Sequence, residues 1–248
     1  MVVRFGGRNP RAEQWTKEHV GKLITEIVSD QRVLIRNEIL RGLEAGDSAN
    51  KVALNLMGRV NRLTGRREGG LLGLTSVQSG HVSSAHDQLT SRDPSKLGDY
   101  LGRVRRDKRF DHLVKKAIKT GKPIPGDGVD RMVARYSDRL LALRAETVAR
   151  NETLSALHAS QSEAIQQLID DGKLQPDQIT KIWGATGDLR TRDTHRSMDK
   201  QSAKWGRPFV SPSGAMMQHP HDLSLGAPLE ETIQCRCFMQ VNIDFLRR

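Results

Sequence analysis

Both cysteines of the 248-residue chain lie in one short stretch, "ETIQCRCFMQV", as Cys235 and Cys237 with a single arginine between them. Four chemistries are open to such a pair. A disulfide would close a very small, strained ring. Two inert thiols would pack together, since residues two apart on an extended strand face the same side. Two thiolates on one side of a strand could instead grip a metal ion, and tetrahedral zinc would then need two further ligands. A Cys–His pair could also act as a nucleophile, with Arg192 and Arg236 lowering a thiol pKa. That last chemistry needs an oxyanion device and an orienting partner, and the sequence locates neither. The histidines that could join the thiols are His195, in "RTRDTHRSMDK", and His219 and His221, in "QHPHD". Their spacing is not that of the familiar zinc fingers.

The elements that must position these residues follow from the rest of the chain. Hydrophobic residues make up 36% and aromatics only 4%, so the core must be built from Leu, Ile, Val and Ala, which favours helices. The spacing of Val20, Leu23, Ile24, Ile27, Leu34, Ile39 and Leu43 predicts a first amphipathic helix, stopped by Gly46. Asp47 or Ser48 caps a second over "SANKVALNLMGRVNRLTG", giving a helical hairpin. Thr75 or Ser76 opens another helix toward Leu89. The glycines from Gly65 to Gly73 do not form a nucleotide-binding loop, because no Gly-Lys-Ser/Thr follows them. A long pattern from Val129 to Gly172 has Met132, Val133, Tyr136, Leu140, Leu143, Leu154, Leu157, Ile165 and Leu168 on one face. It is expected to break near Asn151. After Gly172 the composition turns to Gly, Pro, Ser and Thr. Strands are expected around "QITKIWGAT", "RPFVSP" and "CRCFMQVNIDF", and a short helix in "RDTHRSMDKQSAK".

The fold class is therefore a mainly α N-terminal region, 1–172, followed by a small α+β module, 173–248, with a Pro/Gly hinge near 121–128. A module of that size has a marginal core and benefits from a staple. No apolar stretch is long enough to span a membrane, and the N-terminus lacks a signal-peptide pattern. With only two cysteines, a reducing compartment is expected.

The formal net charge of +11 favours polyanionic partners, nucleic acid first. The most basic part is "YLGRVRRDKRFDHLVKKAIKTG". There Arg103, Arg105, Arg106, Lys108, Arg109, Lys115, Lys116 and Lys119 crowd a short helical region with an apolar stripe of Phe110, Leu113, Val114 and Ile118. Either these cations are a solvated face or they contact DNA phosphates without reading bases.

An ordered set of motifs carries a resemblance. It runs Trp183-x-Ala-Thr-x-Asp-x-Arg-Thr-Arg192, His195, Met198-Asp-x-Gln201, Pro208-Phe-Val-Ser-Pro-Ser-Gly214, His219-Pro220 and Cys235-Arg-Cys237. This resembles the C-terminal domain of the phage Mu F protein family, the minor head or head morphogenesis proteins of tailed phages. "VARNETLSALHA", with Asn151 where Thr is usual, and "GLLGLTSVQ" extend the likeness back to about Gly69. His195 and His219 recur at matching places of the family pattern, so they are the expected partners of the two cysteines if these hold zinc, with His221 the weaker candidate. At His221 the resemblance leads one to expect glycine.

The resemblance implies a virion protein of the capsid interior and portal vertex, assembled in the host cytoplasm and supporting head assembly and DNA packaging or ejection. The partners it implies are the portal protein, the major capsid or scaffolding protein and packaged double-stranded DNA, with no membrane. No catalytic constellation stands out, so an enzyme is not expected. The rival readings are a DNA-acting nuclease or transferase carried in the head, drawing on Asp188, Asp193, His195 and Asp199, and a nonspecific DNA-binding protein.

Overall fold

The computed structural model describes residues 30–62 and 67–245; the sequence expectations for residues 1–29 lie outside them. Helix α1 covers residues 30–44 and α2 spans Ala49–Met57, with the Ser48 hydroxyl accepting the Lys51 amide as its cap. The second helix was expected to run on to about Gly65. It stops at Gly58, and Arg59–Val60 (β1) pairs antiparallel with Arg67–Glu68 (β2). The cause is a close backbone crossing. A Cβ at Gly58, where φ is 78°, would stand 2.5 Å from the Glu68 carbonyl oxygen.

Helix α3, Ser76–Thr90, opens as expected at Thr75, in a reciprocal capping box with Gln78. Then come α4 (Pro94–Gly102), a 3-10 turn (Lys108–Phe110) and α5 (Asp111–Thr120), closed by Gly121 in the left-handed conformation. The expected stripe does face inward. Val114 is fully buried, and Phe110, Leu113 and Ile118 pack on the same core as Leu89, Tyr100, Met132 and Tyr136.

Helix α6, Gly126–Asp170, runs 45 residues, about 67 Å, without the expected break at Asn151. Tertiary partners along its length replace the local break. Tyr136 and Leu140 complete the first core. Ala145 and Ala149 pack against Ile39, Val52 and Leu56 of α1 and α2. Past Asn151 the helix lies against the C-terminal module, and its buried residue there is His158, whereas Leu157 is exposed. The expected apolar face thus gives way to a polar contact. Gly172, at φ 71°, ends the helix, as the sequence implies.

The module is built on a three-stranded antiparallel sheet, β4–β3–β7, of Ser202–Lys204, Ile179–Gly184 and Phe238–Ile243. A two-stranded ribbon pairs β5, Phe209–Val210, with β6, Met216–Met217. The short helices α7, Asp193–Ser197, and α8, Leu229–Thr232, fill the connections. Trp183, Met198, Phe209, Met217 and Met239 form the core, together with both cysteines. The chain therefore has the mainly α part followed by the small α+β part that the sequence implies.

Candidate metal centre

The two cysteines do not lie on a strand. They sit in the irregular stretch between α8 and β7, after Gln234, whose φ is 56°. That kink turns the Cys-Arg-Cys segment as a whole out of α8. The Cys237 amide donates to Cys235 Sγ at 3.4 Å, closing the Cys-Arg-Cys loop on itself.

Helix α7 brings His195 to this loop. Its Nδ1 stands 3.4 Å from Cys235 Sγ and 3.5 Å from Cys237 Sγ. All three residues are buried, and one donor atom from each lies within 4.8 Å of the other two. Tetrahedral zinc holds sulfur at about 2.3 Å and nitrogen at about 2.0–2.1 Å, so its S and N ligands stand roughly 3.5 Å apart. The observed separations match that edge. The group could hold a metal ion.

A carboxylate sits behind the imidazole. Glu231 Oε2 is 2.9 Å from His195 Nε2, a close contact whose angle misses a straight hydrogen bond. Ser213, Ser211 and Thr194 hydroxyls donate to the same carboxylate. Burial pushes the Glu231 pKa up, but those bonds and His195 outweigh it and hold it below the ordinary range. A proton kept on Nε2 leaves the Nδ1 lone pair for the thiol side, the outer-shell arrangement common to histidine ligands.

The thiols are unequal. Hydrogen bonding from Cys235, then contact with His195, draws the Cys237 pKa down against burial. The Cys235 pKa is raised, by its bond to Cys237 and by burial. The hydrogen bond they share makes the first proton of the pair leave more readily than the second.

The other histidines gather elsewhere. His219 does not join the triad: its Nδ1 lies 2.9 Å from the Pro220 carbonyl oxygen, and its ring centroid is 5.9 Å from that of His158. His221 stacks on His158 at 6.0 Å. It adopts φ 68°, the left-handed region that explains why glycine is the residue expected there. Burial, then the neighbouring histidines, lowers the His221 pKa to about 4. Beside this cluster lies a cavity of about 570 Å³ between α6 and the module, reached by His219, His221 and Lys181. The Lys181 ammonium donates to both oxygens of Gln218 and is pushed down to about 8 by burial.

The basic run divides. Arg103 is spent on Gln88, the His81 carbonyl, Ser84 and the Tyr136 hydroxyl. Arg106 forks onto Asp111, and Arg109 onto the buried Asp107. Arg105, Lys108, Lys115, Lys116 and Lys119 are exposed. The carboxylates considered for a nuclease are held apart in structural roles. Asp188 pairs with Arg236, Asp199 accepts the Ala185 amide, and Asp193 pairs with Arg196.

Sequence reasoning missed Glu231, His158 and Lys181. Glu231 had a signal, since it opens the same "ETIQCRC" stretch four residues before Cys235. His158 and Lys181 had none, because only the docking of α6 on the module gives them their surroundings.

A family model described as "Phage Mu protein F like protein" matches residues 110–240, a span that holds the triad, Glu231 and all of α6. No curated protein and no solved structure matches the chain.

Proposed function

The chain belongs to the Phage Mu protein F like family, which suggests phage head morphogenesis, and from that premise we propose a minor capsid protein. It sits inside the head of a tailed bacteriophage at the portal vertex, and supports assembly and DNA packaging or ejection. The family match over 110–240 carries this reading. Its partners are the portal protein, major capsid or scaffolding protein, and packaged DNA touched through phosphates. The exposed Arg105, Lys108, Lys115, Lys116 and Lys119 and the net charge of +11 support the DNA contact. Its role is binding and assembly rather than catalysis. No helix among the described residues is long and apolar enough to cross a membrane.

The metal of the His195–Cys235–Cys237 centre is zinc in this reading. Thiolate and imidazole donors suit it, and binding energy at a site absent from the unfolded chain is folding energy. Mass spectrometry of purified procapsids and mature virions tests the function. The protein is expected in particles at low copy number, retained with the portal when capsids are disrupted. Its absence from both particle types would overturn the reading. Elemental analysis of untagged protein tests the metal, with one zinc per chain expected.

A further inference from the structure

We infer that this centre is an open one, whose fourth position takes an oxygen of a phosphate group through an arginine-lined crevice. The inference rests on the metal reading above and goes beyond it, since a purely structural zinc has four protein ligands and no access.

The donor count comes first. Among the described residues no fourth His, Cys, Asp or Glu joins the triad. Glu231 approaches the far nitrogen of His195 and is already engaged by three hydroxyls. His219 is turned to its own loop and to His158.

Access comes second. The buried triad forms the floor of a crevice walled by Thr186, Arg190, Thr191, Arg192, Gln234 and Arg236. It has room for about one water molecule. A single ligand oxygen fits that space, and a bulky side chain does not.

Charge comes third. A divalent ion and two thiolates cancel. Glu231 and Asp188 offset two of the three arginines, so the surplus is positive. Arg236 is fixed by Asp188, and Arg192 by donating to the Ile233 carbonyl. Arg190 is exposed at the mouth and also lines a second, larger cleft with Arg105 and Arg150, where Glu146 is the one carboxylate. The guanidinium fork of Arg190 at the mouth matches phosphate geometry, while the Thr186 and Thr191 hydroxyls donate to the Arg236 carbonyl and to Asp188. Because the crevice admits little more than one atom, the phosphorus and its other oxygens stay at the mouth, and a free or chain-terminal phosphate, with three or more unesterified oxygens and a higher charge, suits it better than an internal phosphodiester with two.

The test uses the full chain loaded with Co2+, whose visible absorption reports its ligands. Inorganic phosphate should change the bands saturably. A 5′-phosphorylated oligonucleotide should do the same and its unphosphorylated twin should not, if the source is a nucleic-acid end. A response to inorganic phosphate alone assigns the free ion. Arg190→Gln should leave the phosphate-free bands unchanged and weaken phosphate binding about tenfold, as expected when one charge-assisted hydrogen bond is removed. Cobalt bound with bands that no phosphate moves would overturn the open centre and leave the metal reading intact. A response appearing only in His219→Ala would do the same, and would make His219 the fourth ligand. If neither cobalt nor zinc binds, the metal reading fails and this inference falls with it.

Discussion

The helical region and the C-terminal module solve the same problem of stability in opposite ways. Around α1–α5 and the first two-thirds of α6 the buried side chains among the described residues are aliphatic, methionine or tyrosine, and the exception is Asp107, clamped by Arg109 and Arg139. The other nine of ten buried polar side chains among the described residues lie in the module or, as His158 does, against it. Polar groups there displace apolar area that would otherwise supply about 25 cal/mol per Å². The helical region is thus held by apolar burial, and the module by a small apolar core together with a polar network that a metal would complete.

The sharpest way to break this comparison is to remove a ligand. His195→Ala or Cys235→Ser should abolish metal binding and destabilise the module by several kcal/mol, since metal affinity is folding energy there. Limited proteolysis should then digest residues beyond Gly172 while the helical part resists. A module that stays resistant without metal would mean that the cysteines act as ordinary core residues.

The converse change comes next. Leu56→Ala empties a fully buried position between α2 and α6 and should cost about 2–5 kcal/mol. Metal content should remain that of the unmodified chain. Loss of metal in this variant would show that the two regions do not fold separately.

Acid should separate the regions more gently. The unfolded His221 titrates near 6.5 and the folded one near 4. Between those values the unfolded chain binds more protons, so stability falls as the pH drops through that window, by at most about 3 kcal/mol. His221→Asn keeps a residue that tolerates φ 68° and removes the titration. Denaturant titrations from pH 7 to 4 should show a flatter acid limb for this variant than for the parent.

The smallest expected effect concerns DNA. Replacing Lys108, Lys115, Lys116 and Lys119 with Ala should reduce the salt slope of binding by roughly 1–4, about one unit for each phosphate no longer neutralised. Replacing Arg106 or Arg109 should instead destabilise the helical region, because both are tied to carboxylates. An unchanged slope in the lysine variant would make these residues a solvated surface.

Legibility follows the same divide. Capping at Thr75, the α5 stripe, the stop at Gly172 and strand β3 are local features, and the sequence declares them. The end of α2 at Gly58 depends on a crossing with Glu68 and Gly70. At Asn151 the partner of α6 is 83 residues away, since the Asn151 side-chain oxygen Oδ1 accepts the Gln234 backbone amide. At the site, the family likeness brought His195 to the two cysteines, and the structure places it there. Strand periodicity placed the cysteines on a strand, whereas they lie in the irregular stretch just before β7, closed by the Cys237 amide on the Cys235 sulfur. Family likeness put His219 beside them, whereas its loop turns it to His158. Glu231 becomes meaningful only once α7 docks.

The unbroken α6 also has an angular consequence. Ala149 is seated among α1 and α2, and nine residues later His158 is seated in the module. With no joint between them, the residue count sets the azimuth of one seat relative to the other. Each residue added turns the far seat by about 100°, and seven bring it back to within about 20°. The segment works as a keyed shaft, on which a seven-residue insertion keeps the module's facing and a single-residue insertion swings it to another side.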